Sequence, residues 1–499
     1  MDSALVSYTP RLKLWDHQEK ALDLLLQHPV FALLMEMRTG KTATILAEFG
    51  YLEAGAISSS LLVIAPAGVY RVWEDDAKKH LAENLLKRTK FYTWVSGKAK
   101  SKKETLEREK FLAYRGPRVL MMNVEALQGS KGAKKPDPDK NPRQLCLDFL
   151  RQGPTTLVVD ESTCIKGHDA KQSRFVVEGL AHLAKRRRIL SGLPSPNNPL
   201  DLYQQFAFLD QRILGHMSFY SFRARYAVMK KIKVPPFNRM VDVVVGYRDV
   251  EDIRDKIAPH AFRQRLADCY DLPPKMYLRH DVEMSEEQAK IYASIKEFAC
   301  AALGGEHHVT ATMVITQMMR LHQVLCGHTV SDAGVVVDIK ERRTAELLEV
   351  LEETREDGKA VVWVTYDADV KKVSQAIREK FGATSVARFW GGNFDEREEE
   401  ERRFKEDPSC RFMVATPAAG GRGRNWAVAD LNVYYSNSYS LEHRAQSEER
   451  PQAVGKTQSV AYVDLICRGT VEEKIIAALR NKIDLATAIT GDDYREWLI

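Results

Sequence analysis

Residues 31–49 read FALLMEMRTGKTATILAEF. An apolar run, Phe31–Met35, passes into a polar loop closed by Gly-Lys-Thr, and an apolar stretch at helical spacing follows. A short run buried on both faces suits a parallel strand. A strand, a tight loop and a helix opening at Gly-Lys-Thr form a phosphate cradle, because backbone N–H groups and the positive end of the helix dipole favour an anion. Lys41 is placed to neutralise β and γ oxygens and Thr42 to ligate magnesium, with Arg38, Thr39 and Gly40 completing the loop. Met35 stands where the GxxxxGKT pattern has its first glycine.

A second stretch, TTLVVDEST (Thr155–Thr163), puts Asp160 and Glu161 directly after another apolar run. An acidic pair at a strand tip supplies what magnesium binding and water activation require. Asp160 would hold the metal through its water shell and Glu161 would polarise the attacking water. The plainer reading is a helix cap, with Ser162 or Thr163 capping the next helix and the acids complementing its dipole. Together the two stretches point to nucleoside triphosphate hydrolysis.

Working outward, Leu61–Ala65, Val119–Met122 and Ile189–Leu190 read as further buried strands, separated by helical patterns at Thr42–Leu52, Val69–Leu86 and Gln172–Leu183. From about 210 to 340 helical periodicity prevails, in Glu251–Leu266, Ser285–Ala302 and Ala311–Leu325, with one strand-like run at Arg239–Val245. The α/β rhythm returns with Ala360–Thr365, Ser385–Phe389, Phe412–Ala415, Leu431–Tyr434 and Val460–Leu465, and a helix from Val471 closes the chain. The expected class is α/β: parallel-sheet lobes at 1–209 and 336–499 joined by a largely helical bridge at 210–335. Gly327–Arg343 reads as a hinge and Gly129–Arg143, rich in Lys, Gly, Pro and Asp, as a mobile loop.

The distal lobe carries ATPAAGGRGRNW (Ala415–Trp426) and HRAQSEERPQAVG (His443–Gly455). Arg422, Arg424, Arg444 and Arg450 offer guanidinium forks suited to phosphate. The competing reading pairs them with Glu442, Glu448 and Glu449 on the surface.

The chain has 499 residues, 44% of them hydrophobic and 28% charged, which describes a folded rather than a disordered protein. No stretch approaches the roughly 20 apolar residues that span a bilayer, and no secretory signal is evident, so a cytoplasmic protein without membrane contact is expected. Seven cysteines are scattered singly, giving neither a disulfide framework nor a zinc pattern; Cys326 beside His328 is a weak metal signal. The net charge of +6 permits a polyanionic partner. Basic runs at Lys98–Lys103, Lys131–Arg143, Arg186–Arg188 and Lys230–Lys233 are either contacts to such a partner or solvated surface.

The ordered set of motifs resembles the Swi/Snf-type, chromatin-remodeller-like ATPases of helicase superfamily 2, especially compact forms carried by phages and other bacterial mobile elements. LWDHQ (Leu14–Gln18) looks like the segment whose glutamine reads adenine, here Gln18. EMRTGKT is similar to motif I, VIAPAGVYRVWEDD (Val63–Asp76) to the Ia region, MMNVEAL (Met121–Leu127) to the segment after it, DEST to motif II and SGLPSPNNPLDLY (Ser191–Tyr203) to motif III. FRARY (Phe222–Tyr226), LPPK (Leu272–Lys275), MSEEQ (Met284–Gln288) and MMRLHQVLCGH (Met318–His328) resemble the bridge of this family. VVWVTYDADVKKV looks like motif IV, AAGGRGRNW, with Gly423, like motif V, QSEERPQAVG like motif VI, and TVEEKI like the closing helix. In motif VI Gln446 and Arg450 align, but Ala453 occupies the position of the family's second, finger arginine.

The resemblance implies two RecA-like lobes, ATP with Mg²⁺, and a sequence-independent grip on double-stranded or branched DNA. Gln18, Lys41 and Thr42 would lie on one wall of the nucleotide seam, and Gln446 and Arg450 would come from the other lobe. Arg71, Asn123, Ser436 and Asn437 are expected on the DNA. A monomer recruited by replication or recombination proteins is expected. The alternatives are an RNA helicase, and a nucleic-acid clamp that takes ATP with little hydrolysis, which Ala453 would favour.

Overall fold

The computed structural model describes residues 8–67, 69–70, 72–95, 101–129, 141–234, 239–270, 273–304, 311–331, 334–420, 425–452, 456 and 458–490. The chain divides into two compact units, the first taking in Met1–Ala227 and Tyr247–Asp271, the second Val228–Gly246 and Leu272–Thr487. In chain order the strands are β1 (Val30–Met35), β2 (Ser60–Ala65), β3 (Lys90–Thr93), β4 (Arg118–Asn123), β5 (Thr155–Asp160), β6 (Arg186–Leu190), β7 (Ala227–Val234), β8 (Arg239–Tyr247) and β9 (Ala261–Gln264). They continue with β10 (Lys275–Val282), β11 (His328–Val330), β12 (Val336–Asp338), β13 (Lys359–Trp363), β14 (Val386–Phe389), β15 (Phe412–Ala415), β16 (Ala429–Tyr434) and β17 (Val460–Cys467).

Unit 1 is built on the parallel sheet β3-β4-β2-β5-β6-β1-β9. Helices α1 (Asp16–Gln27), α2 (Lys41–Ala54) and α3 (Val72–His80) are among those packed around it. Leu33 and Met35 of β1 share a core with Ile45 and Phe49 of α2, Val63 and Ala65 of β2, and Trp73 of α3. Parallel order brings the carboxyl ends of all the strands to one rim. The loop after β1, the acids after β5 and the Ser-Gly-Leu-Pro after β6 therefore meet where open parallel sheets bind ligands.

Unit 2 has the parallel sheet β10-β17-β16-β13-β15-β14. Neighbouring residues of one strand enter different cores: Val362 packs with Val370, Val373 and Ile377, whereas Val361 and Trp363 pack with Phe404 and Trp426. Side chains alternate across a strand, so covering both faces demands an unbroken apolar run. This explains why these strands stood out in the sequence.

The stretch 210–335 departs from a purely helical reading. The pattern Glu251–Leu266 gives a helix only over Val250–Ile257, after which Pro259 stops it. The chain then enters β9, which pairs with β1 (Ala32↔Ala261). LPPK opens β10, which pairs with β17 along its whole length (Lys275↔Val460 to Val282↔Cys467). The expected helix Val69–Leu86 divides into Val72–His80 and Glu83–Arg88. The mobile-loop reading of Gly129–Arg143 falls largely outside the described residues.

Arg186–Arg188 are neither solvated surface nor a patch for a polyanion. They form β6, where the fully buried Arg188 guanidinium grips Glu48 of α2 (Nη2 to Oε1 2.6 Å, Nε to Oε2 3.1 Å) and donates to the Leu25 and His28 carbonyls. Arg186 donates to the carbonyls of Leu25, Leu26 and His28. Together they satisfy the carboxyl end of α1. No helix among the described residues is long and apolar enough to cross a membrane.

Candidate functional site

The loop Glu36–Gly40 turns sharply into α2. Gly40 adopts φ 88°, and a Cβ there would lie 2.0 Å from the Gln18 amide nitrogen, so any other residue would strain the backbone and displace Gln18. Arg38 also holds a positive φ of 65°. The Lys41 ammonium donates to the carbonyls of Met35 (2.7 Å) and Glu36 (3.1 Å), while Thr39 Oγ1 donates to the Glu36 carbonyl at 2.7 Å. The lysine thus rests on neutral carbonyls that phosphate oxygens can replace. Thr42 stands in the first turn of α2, half-buried.

Across the rim, Asp160 ends β5 and is buried. Its Oδ2 accepts the Trp73 indole N–H at 2.9 Å and its Oδ1 the Glu161 backbone N–H at 2.9 Å. Burial raises its pKa; Lys41, Trp73 and the Glu161 amide oppose that shift. Glu161 follows in a left-handed conformation (φ 47°, ψ 61°). The competing reading has Ser162 or Thr163 cap a following helix, and these residues lie inside the short 3-10 turn Ser162–Ile165. Ser162 instead donates to Gln205 Oε1 at 2.6 Å, and the Gln205 amide donates to the carbonyls of Pro194 (2.7 Å) and Asp201 (2.8 Å). The acids are thereby joined to the loop after β6.

Gln18 lies under the loop. Its Oε1 accepts the Trp15 N–H (3.1 Å), its Nε2 donates to the Thr39 carbonyl (3.1 Å), and the His17 ring nitrogen meets that same carbonyl at 2.8 Å. A cavity of about 660 Å³ opens alongside, walled by Lys13, Trp15, His17, Lys20, Asp268 and Tyr270 among others. The Trp15 and Tyr270 rings meet edge to face at 4.9 Å, and burial pushes the Tyr270 phenol up to about 12. The volume and aromatic walls suit a purine base. Gln18 itself contacts the phosphate loop and is not part of the wall.

These residues fit a triphosphate with a divalent ion. Among the described residues no group of three or more His, Cys, Asp or Glu side chains forms a metal cage. One hydroxyl and one carboxylate, Thr42 and Asp160, match the habit of Mg²⁺ to share its shell with substrate phosphates.

In unit 2 the helix Leu441–Glu448 carries Arg444 and Gln446, and Arg450 follows just beyond its end. Arg444 is no surface arginine. Its buried guanidinium binds Asp464 (Nη1 2.5 Å, Nη2 3.0 Å), Glu448 (2.5 Å) and Asn437 (2.8 Å), and lies 3.6 Å from the centre of the Tyr434 ring. Glu448 also accepts the Tyr277 hydroxyl at 2.8 Å and lies 3.5 Å from Lys275, both on β10. Arg450 is buried, with Nε donating to the Gln446 carbonyl at 2.8 Å. Gln446 is buried too, its Nε2 on Glu442 at 3.3 Å and its Oε1 without a partner among the described residues. Ser436 and Asn437, expected on DNA, face inward: Ser436 Oγ accepts the Thr365 N–H at 2.8 Å and Asn437 donates to Asp464 at 2.6 Å. Asn123 is bonded to Glu125 at 3.2 Å near the surface. Gly423, Arg422, Arg424, Ala453, Gly455 and Arg71 lie outside the described residues.

Of the bridge motifs, FRARY lies in unit 1, with Phe222 and Tyr226 buried, whereas the later ones belong to unit 2. Arg343, at one end of the expected hinge, is fully buried against Glu472 (2.5 Å). His322 meets Tyr366 at 2.8 Å and Glu472 at 3.5 Å, and His328 pairs with Asp369 at 3.1 Å. Cys326 is buried apart from any metal cluster among the described residues. Gln205 and the Trp73 contact had no local signal, because each partner is remote in sequence.

The SNF2-related domain family matches residues 17–330. The chain is 21% identical to the TATA-binding protein-associated factor MOT1 of Saccharomyces cerevisiae, over 67% of this chain and 20% of that protein. It is 24% identical to the putative ATP-dependent helicase/translocase YwqA of Bacillus subtilis, over 66% of this chain and 34% of that protein. It therefore spans about a third or less of the length of these two curated relatives. The solved SWI2/SNF2 ATPase core of Sulfolobus solfataricus in complex with dsDNA is 22% identical, covering 98% of this chain and 95% of that one, with a TM-score of 0.40.

Proposed function

The chain belongs to the SNF2-related family, and we propose that it is a DNA-stimulated ATPase that translocates on duplex or branched DNA through sequence-independent phosphate contacts. The observation that carries this reading is the convergence, at the rim of the first sheet, of the Lys41 loop after β1 and of Asp160 at the end of β5, held by Trp73.

In this reading Lys41 leaves the Met35 and Glu36 carbonyls for the β and γ phosphates, and Gly40 and Thr39 supply backbone N–H groups. Thr42 and Asp160 hold Mg²⁺, which when bound neutralises charge on the phosphate oxygens. Glu161 orients the attacking water. Gln18 monitors the nucleotide through the Thr39 carbonyl and the base lies in the cavity beside it. Arg38 and Gly423 complete the nucleotide contacts, and Gln446 and Arg450 of the second unit act on the triphosphate during the cycle. The segment 210–335, expected as a bridge between lobes at 1–209 and 336–499, is shared by the two lobes, with Ala261–Gln264 in the first sheet and Lys275–Val282 in the second. DNA contacts of this kind weaken steeply with salt.

The test is steady-state phosphate release without nucleic acid, then with duplex, forked and single-stranded DNA and with RNA. Duplex or forked DNA should raise the rate most, and Lys41→Ala and Glu161→Gln should each abolish the stimulated rate. Persistence of that rate in both variants overturns the site. Stronger stimulation by single-stranded RNA makes the protein an RNA helicase.

A second reading is favoured by Arg450, whose Nε is engaged by its own helix while Ala453 replaces the finger arginine. The protein would then be an ATP-dependent clamp. Tight ATP and DNA binding with negligible turnover would establish it, and Ala453→Arg should then raise the rate.

A further inference from the structure

The entrance of the phosphate loop is held by a residue that belongs to none of the motifs above. Arg263 lies on β9, the strand added to the edge of the first sheet. Its Nη1 donates to the Leu34 carbonyl at 2.8 Å and to the Gly192 carbonyl at 3.1 Å, and its Nη2 reaches the Glu36 carboxylate at 3.4 Å. That carboxylate also accepts the Leu266 N–H at 2.8 Å, and the Glu36 N–H donates to the Gln264 carbonyl at 2.9 Å. Gly192 packs on the same entrance, where a Cβ would come within 3.4 Å of the Glu36 Cα and 3.5 Å of the Met35 carbonyl. The other end of the loop has separate anchors, Gln18 and His17 on the Thr39 carbonyl. Lys41 rests on Met35 and Glu36, at the end that Arg263 controls.

We propose that Arg263 is a positioning residue for the phosphate chemistry: it fixes the loop entrance and the Gly192 loop as one body, and so fixes where Lys41 can go. The inference rests on the ATPase reading. A guanidinium suits the task because its planar fork serves two carbonyls and a carboxylate at once, which an ammonium cannot do in that geometry. Without it the entrance and Gly192 move independently, while the base side of the loop stays anchored by α1.

The experiment uses the full chain with saturating duplex DNA, comparing wild type, Arg263→Ala and Arg263→Lys. ATP turnover, KM for ATP, affinity for ADP and thermal midpoint are measured for each. A misplacement of the order of an ångström costs up to about a hundredfold in rate. Arg263→Ala should therefore lose about tenfold or more in kcat, with ADP affinity within about threefold of wild type and Arg263→Lys intermediate. A kcat within about twofold of wild type for Arg263→Ala overturns the proposal. So does a parallel fall in kcat, ADP affinity and thermal midpoint with no recovery in Arg263→Lys, which marks a merely structural residue. Absence of turnover in the wild type is read before any variant; it refutes the ATPase reading and this inference falls with it.

Discussion

Lys41 and Asp160 of unit 1 and Arg444 of unit 2 are held by different kinds of partner. In unit 1 the hydrogen bonds of Lys41 run to backbone carbonyls and those of Asp160 come from an indole and an amide N–H, neutral groups, with the Lys41 charge acting on Asp160 from nearby. In unit 2 Arg444, in the middle of the Leu441–Glu448 helix, is closed in by Asp464 and Glu448, with Tyr434 beneath it. A ligand can replace neutral partners at modest cost, but drawing a buried cation away from buried carboxylates strands the charges on both sides. The contrast separates two neighbouring arginines: Arg444 secures the helix that leads into motif VI, and Arg450 just past its end remains the candidate for chemistry.

The largest effect expected from this contrast is on activity alone. Lys41→Ala should lower DNA-stimulated ATP turnover by about a thousandfold or more, with little change in urea midpoint. A parallel loss of stability would mean that the lysine, too, is structural. Arg444→Ala should do the reverse in kind, costing about 3–5 kcal/mol in urea denaturation because Asp464 and Glu448 are left buried without their cation. Near-wild-type stability in that variant would dissolve the distinction between the units.

A pH experiment sharpens it. Burial pushes the Glu472 carboxyl up, but Arg343 and His322 outweigh burial and bring it down from 4.5 to about 2. A carboxylate with a depressed folded pKa stabilises the fold above its unfolded value and loses that contribution as pH falls through the folded one. Unit 2 should therefore weaken between pH 4.5 and about 2, by up to about 3 kcal/mol. Melting curves of wild type and Glu472→Gln should converge over that interval. The smallest effect belongs to Trp73→Phe. Removing the indole N–H leaves burial less opposed at Asp160, so the acid limb of the ATPase profile should move to higher pH, with a severalfold loss near neutrality. An unmoved limb would show that Asp160 does not govern it.

Much of this was legible in the residue order, and the limit has a physical shape. Val361, Val362 and Trp363 announce a strand because both faces of the sheet are covered. Gly-Lys-Thr and Asp160–Glu161 announce a rim because each follows such a strand. What stayed hidden depends on remote partners. Arg188 looks like surface until Glu48, 140 positions earlier, is placed beside it, and Trp73 finds Asp160 across 87 positions. β9 was hidden because Ala261–Gln264 is only half-buried and includes Arg263, so it has neither an apolar run nor a clean alternation. Ser436 and Asn437 were assigned to DNA by motif position, yet Thr365 and Asp464 had already claimed them.

The pairing of β9 with β1 also governs how the protein can be shortened. A fragment ending at Leu209 keeps Lys41, Asp160 and Glu161 but gives up Ala261–Gln264, so β1 becomes an outermost strand with bare N–H and C=O groups. Such an edge recruits strands from other copies, and the fragment should precipitate or associate. An extension to Tyr270 restores the covering strand, so the natural cut for a well-behaved catalytic piece lies about sixty residues beyond Leu209.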